Sequence, residues 1–207
     1  MATYCSIQPN SIKHNDECIF AVRPEERENF FLDAYRHFGL AYPKFHKMDR
    51  FCQLGFLTAL PIVPAAGKYD PAKTGLLIAS KSGSYFTDNH YFSRVFAEEK
   101  INYSPAQFTY TLPSAVLGEL SIQHNFQGEN YLFLQSEYNF DLLRDYAKSL
   151  FHDQKLDTCL IGWMDYYGPD QFLSTFLWID RSDLINLDTI ILNINKTCFD
   201  YGKATVS

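Results

Sequence analysis

The hydrophobic positions of this chain follow two rhythms: apolar residues side by side, and apolar residues three and four apart. Side-by-side runs predict strands at Thr3 to Ile7, Gly75 to Ser80, Tyr131 to Leu134, Thr158 to Met164, Ser174 to Ile179 and Thr189 to Ile194. Gly75 to Ser80, GLLIAS, is apolar almost throughout, as expected of a strand buried on both faces. DRSDLINLD, Asp180 to Asp188, reads as a turn, so the last two runs predict an antiparallel hairpin.

Spaced runs predict helices. Glu25 to Phe38 carries Phe31, Tyr35 and Phe38 on one side, and Lys47 to Leu60 carries Phe51, Leu54 and Leu57 before Pro61 stops it. Lys81 to Ser84 turns the chain, and Thr87 or Asp88 caps a helix running toward Lys100. Leu112 to Gln123 is helical, with Leu112, Val116 and Leu120 on one side and small Ser114, Ala115 and Gly118 permitting close packing. Asn125 to Asn130 is a loop. Glu137 to Phe151 forms a helix with Ser136 as its N-cap and Leu143, Tyr146, Ala147 and Leu150 as its apolar stripe. Alternating strands and helices argue for an α/β layer structure around a mixed sheet of about five strands, with helices on both faces.

Length and composition narrow the class. With 207 residues, 46% hydrophobic and 20% charged, the chain is one globular domain with a real core. A net charge of −6 without a Lys/Arg cluster argues against nucleic-acid binding. No apolar run reaches the roughly 18 residues of a membrane span. The N-terminus lacks the pattern of a signal peptide, so a cytoplasmic location is expected. Cys5, Cys18, Cys52, Cys159 and Cys198 are scattered without a CxxC pair, which signals neither zinc nor redox chemistry. No metal or cofactor is expected.

Isolated motifs promise little. Ser80 to Ser84, SKSGS, lacks the glycine spacing of a phosphate loop. Ser136, His124 and Asp165 could form a Ser–His–Asp site on paper, but no GxSxG elbow is present. His152 is a lone histidine. Cys159 lies inside an apolar strand, where a thiol is inert. Asp16, Glu17, Glu25, Glu26 and Glu28 read as a solvated acidic face.

Order and spacing across longer stretches say more. Thr111 to Tyr166 contains Pro113, Gly118, Ser121-Ile122, Gly128-Glu129-Asn130 and Gly162. In that sequence it resembles the core of the β-ketoacyl synthases, the condensing enzymes of fatty-acid and polyketide synthesis. DRFCQLGFLTAL, Asp49 to Leu60, is similar to the family's Asp-Arg-x-x-Gln-Leu helix. TGLLIASKSGSYFTDNHYF, Thr74 to Phe92, is similar to its glycine-flanked strand and Ser-Gly turn. The resemblance covers roughly residues 1 to 170. It implies a thiolase-like half domain over residues 1–207, without the C-terminal half that carries the family's catalytic histidines.

Counting from Gly128, the family's nucleophilic cysteine falls on Glu137. A helix start stabilises a carboxylate by about 0.3–1 kcal/mol. It gives no support to acyl transfer, because the acylated product would be a mixed anhydride. No residue is therefore a confident catalyst.

The chain looks like the short ketoacyl-synthase-like proteins of aryl-polyene and flexirubin-type pathways. The chain-length-factor class, cysteine-less partners of competent synthases, is a precedent. The resemblance implies a dimer interface at Tyr131, Leu132, Phe133 and Leu134, with Leu112 from the preceding helix. The partner would be a second copy or a full-length ketoacyl synthase, and an acyl carrier protein could dock. Two functions follow: a non-catalytic subunit, or an active synthase or acyltransferase component completed by a partner chain. An unrelated hydrolase-like α/β domain is a third, weaker reading.

Overall fold

The computed structural model describes residues 2–97 and 105–202. The elements are β1 (Thr3–Gln8), β2 (Ser11–His14), β3 (Glu17–Ala21), α1 (Phe30–His37), α2 (Arg50–Ala59), β4 (Thr74–Ser80), α3 (Tyr85–Ala97), α4 (Pro105–Thr109), α5 (Ala115–His124), β5 (Asn130–Leu134), α6 (Phe140–His152), β6 (Thr158–Gly168), β7 (Gln171–Asp180) and α7 (Leu187–Gly202). The strands form one mixed sheet in the order β3-β2-β1-β7-β6-β4-β5. β4 runs parallel to β5 and β6, and the other pairings are antiparallel.

Residues of β4 alternate between two cores, which explains its unbroken apolar run. Leu76 and Ile78 pack with residues of α1, α2 and α5, whereas Leu77 and Ala79 pack with residues of α6 and α7. The sheet is thus covered on both faces.

Two expectations about strands fail. The sheet has seven strands rather than about five, because the N-terminal segment folds back twice. Asn15 and Asp16 both adopt positive φ between β2 and β3, the geometry of a tight hairpin turn. Both strands are short and half-polar, so periodicity is too weak to reveal them.

Thr189 to Ile194 belongs to helix α7, not to a hairpin strand. Leu187, Ile191 and Ile194 are buried, spaced four and three apart, so one helical face meets the sheet. β7 also has no free edge, since β6 and β1 flank it. The true hairpin is β6–β7, closed at Gly168 and Gln171.

Helix boundaries shift inward. Pro24–Asn29 is a 3-10 turn, leaving α1 to begin at Phe30. Asp49 caps α2 by accepting from Cys52 N at 2.9 Å. α3 begins at Tyr85, so Thr87 and Asp88 sit inside it rather than capping it. Its expected end at Lys100 falls outside the described residues. Leu112 precedes α5, which starts at Ala115 and ends where Asn125 turns left-handed.

Two glycines permit close approaches. A Cβ on Gly128 would stand 2.5 Å from the Thr74 carbonyl oxygen, and one on Gly162 would stand 2.0 Å from Phe176 Cδ1. The first lets the loop before β5 hydrogen-bond to Thr74. The second gives an aromatic ring room on the sheet.

Candidate functional site

Where parallel strands lead to loops on opposite faces, their C-terminal ends open a crevice. β4 and β5 meet this condition: α3 and α5 follow β4 on one side of the sheet, and α6 follows β5 on the other. The loops that leave these two strand ends are Ser80–Ser84 and Gln135–Asn139.

The first loop is held by a buried carboxylate. Asp165 Oδ1 accepts from Ser80 Oγ at 3.0 Å, Lys81 N at 2.8 Å and Ser82 N at 2.7 Å. Its Oδ2 accepts from Trp163 Nε1 at 2.7 Å. Ser80 Oγ accepts from Gly83 N at 2.8 Å, and Ser82 Oγ accepts from Tyr166 N at 3.0 Å. The backbone N–H groups of Lys81 and Ser82 that could have cradled a phosphate are therefore occupied by the protein's own carboxyl group. SKSGS is an anchored turn. Its anchor was missed in the sequence, although one carboxylate inside the apolar run of β6 was a visible signal.

The second loop differs from its expected form. Gln135 N extends the ladder by one bond to Ser80 O, at 2.9 Å. Ser136 and Glu137 are then exposed, and α6 starts only at Phe140. Its cap is Asn139, accepting from Leu142 N at 3.2 Å, and not Ser136. Tyr138 explains the delay. Its ring packs 5.2 Å from Trp163 and 5.8 Å from Phe140, and Asn139 is extended to let both rings reach the core. Glu137 thus stands outside the first turn of α6, and the helix-dipole argument does not apply to it.

The paper triad is not assembled. His124 ends α5 beside the loop that bonds to Thr74, at the start of β4. Ser136 lies past Leu134, which pairs with Ser80 at the end of β4. Six residues of strand separate these levels, about 20 Å. His124 stacks on Phe126 at 5.4 Å, and burial lowers its pKa to about 4. His152 is exposed at the end of α6. Cys5, Cys52 and Cys159 are buried, and desolvation raises each thiol well above its ordinary range. The acidic residues Asp16, Glu17, Glu25, Glu26 and Glu28 are all exposed. Among the described residues no three His, Cys, Asp or Glu side chains gather as metal ligands. None of the described helices is long and apolar enough to cross a membrane.

The residues expected at an interface divide between the two faces of the sheet. Among the described residues β5 ends the sheet, bonded to β4 alone. Tyr131 and Phe133 point to one face, with ring centroids 5.1 and 5.4 Å from Tyr146. Leu132 packs into the opposite core. Leu134 is 59% exposed and lies over Gly83 and Pro113, next to Leu112 in sequence, itself 53% exposed. Phe92, Phe96 and Phe108 are also exposed, on α3 and α4.

This architecture is that of the ketosynthases, the thiolase-like fold. The structure of the ishigamide ketosynthase/chain length factor superposes with a TM-score of 0.65 at 12% identity, covering 88% of this chain and 62% of that one. The ketosynthase ApeO in complex with its chain length factor ApeC, from Xenorhabdus doucetiae, gives 0.57 at 12% identity, covering 86% and 76%. A β-ketoacyl synthase from Burkholderia phymatum gives 0.53 at 11% identity, covering 86% and 58%. The chain therefore spans less than two thirds of the first of these structures. No family model and no curated protein matches the sequence.

Proposed function

We propose that the chain is a non-catalytic ketosynthase-like subunit of a fatty-acid, polyketide or aryl-polyene pathway, acting as a chain-length factor does. It pairs through β5 with a complete synthase or with a second copy. The observation that carries the reading is the junction of β5 and α6. There a bare apolar strand edge leads into an elbow that presents Glu137, with no thiol. An open edge of Tyr-Leu-Phe-Leu favours pairing with another strand. The solved ketosynthase in complex with its chain length factor supports a partner of that kind. Fold alone does not establish the activity.

Intact-mass spectrometry after incubation with an acyl thioester tests the catalytic part. The expected result is an unmodified chain. An acyl adduct, or turnover lost in Glu137→Gln, would instead favour an active component. Light scattering on mixtures with a full-length ketosynthase tests the assembly part, with a stable complex expected.

A further inference from the structure

Where α3 begins beside the chain entering α5, one hydroxyl stands between two acceptors. Ser84 is buried, and its Oγ lies 2.8 Å from the Thr111 carbonyl oxygen and 3.0 Å from Asp88 Oδ2. A serine hydroxyl has a single proton to donate. A carbonyl oxygen only accepts, and so does an ionised carboxylate. With Asp88 charged, one of the two contacts therefore has no hydrogen. Asp88 Oδ1 is buried and has no hydrogen-bond partner among the described residues. A carboxylate here would carry an orphaned oxygen and compete for the shared donor. A protonated Asp88 removes the conflict. Its O–H donates to Ser84 Oγ, the Ser84 proton goes to the Thr111 carbonyl, and the oxygen left alone is neutral.

The surroundings do not hold the charged form. On α3 itself, Tyr85, His90 and Arg94 are exposed and Tyr91 is buried, while α4 carries no titratable residue. Lys81, in the turn before α3, is exposed. Asp49 at the start of α2 accepts from Thr87 and Cys52, and Asp165 of β6 accepts from the Lys81 and Ser82 amides. Tyr166 of β6 packs edge-on against Phe86, and Tyr110 donates to Glu119, which pairs with Lys44. Burial raises the pKa of Asp88, and the Ser84 bond offsets only part of the rise.

We infer that Ser84 and Asp88 form a proton-operated latch on the segment before α5: the neutral acid lets Ser84 hold the Thr111 carbonyl, and the carboxylate takes the Ser84 proton and releases it. The latched segment carries exposed Leu112, and Pro113, which lies against Gly83 beside Ser84. The folded protein binds this proton more tightly than the unfolded chain. The latch's contribution to stability is therefore complete below the ordinary 3.8 and is lost as pH rises through the folded value. The inference is independent of the proposed subunit role.

Carboxyl ¹³C and amide ¹⁵N spectra of the whole chain, recorded from about pH 8 down to about pH 3, test it. The Asp88 carboxyl should titrate above the ordinary 3.8. The Leu112 amide, whose nitrogen is bonded to the Thr111 carbonyl carbon, should shift with the same midpoint. Asp88→Asn puts an N–H donor where the acid O–H stood, so its Leu112 amide should keep the low-pH position throughout. In Ser84→Ala the Asp88 carboxyl should still titrate while the Leu112 amide no longer follows it. An Asp88 carboxyl titrating at or below 3.8 in the native chain overturns the inference. So does a native Leu112 amide that ignores the Asp88 midpoint, or an Asp88→Asn chain whose Leu112 amide sits at the high-pH position. The two readings on the native chain decide the matter even if a variant does not fold.

Discussion

The two ends of the sheet solve the same problem in opposite ways. β3 and β5 each have a free edge, with five residues apiece. β3 opens with Glu17 directly after Asp16, and its pairing with β2 is broken by a register shift at Ile12/Lys13. Phe20 is roofed by the rings of Phe30, His37 and Phe38. Charge, irregularity and cover are the devices that keep edges from pairing. β5 is covered in part, by Tyr146 over Tyr131 and Phe133, but lacks the other two devices. It pairs regularly with β4, bears no charge from Asn130 to Leu134, and exposes Leu134. The difference teaches that a free edge is not by itself an interface; the less defended one is the candidate.

The largest effect should come from releasing the loop that borders β5. Asp165→Ala leaves Lys81 N, Ser82 N and Trp163 Nε1 without their acceptor. A loss of about 3–4 kcal/mol in urea unfolding is expected. A loss under about 1 kcal/mol would mean that the Ser80–Ser84 loop does not depend on this anchor.

Acid should act next, at the foot of β5. The pKa of His124 is about 4 in the folded protein, against an ordinary 6.5. The unfolded chain therefore binds the proton more tightly. The stability from a neutral His124 is complete above pH 6.5 and drains away as pH falls toward 4. The loss saturates at about 3 kcal/mol. His124→Gln should flatten this part of the stability-versus-pH curve.

Edge substitutions test the comparison directly. Phe133→Lys on β5 should weaken assembly by about 2 kcal/mol or more, read by sedimentation against concentration. Ile19→Lys on β3 should leave assembly unchanged. Equal losses at both edges would erase the distinction drawn here.

The smallest effect probes the elbow. Asn139→Ala should cost about 1 kcal/mol as a lost helix cap, and Ser136→Ala within about 0.5 kcal/mol of nothing. The reverse order would restore the earlier helix start.

Several elements were legible because a single cause produced them. β4 and β6 are buried on both faces, so adjacency of apolar residues alone marks them. α6 shows its stripe because one face meets one core. The failures had competing causes. ILNI, Ile191 to Ile194, satisfies both periods, and only the occupied edges of β7 decide for the helix. At the elbow, Ser136 and Asn139 are both good caps by residue type. The choice fell to Asn139 because Tyr138 had to reach Trp163, a residue 25 positions away in sequence.

The site shows the same division. The sequence by itself determined that a carboxylate, not a thiol, occupies the elbow, that β5 is apolar without a charge, and that the chain alternates strands with helices. Each follows from residue identity and local spacing. Only the tertiary structure decided that β5 lies at the edge, that His124 and Ser136 lie at opposite ends of β4, and that Asp165 fills the turn after it. These depend on strand order and on pairings between distant residues, which local periodicity does not encode.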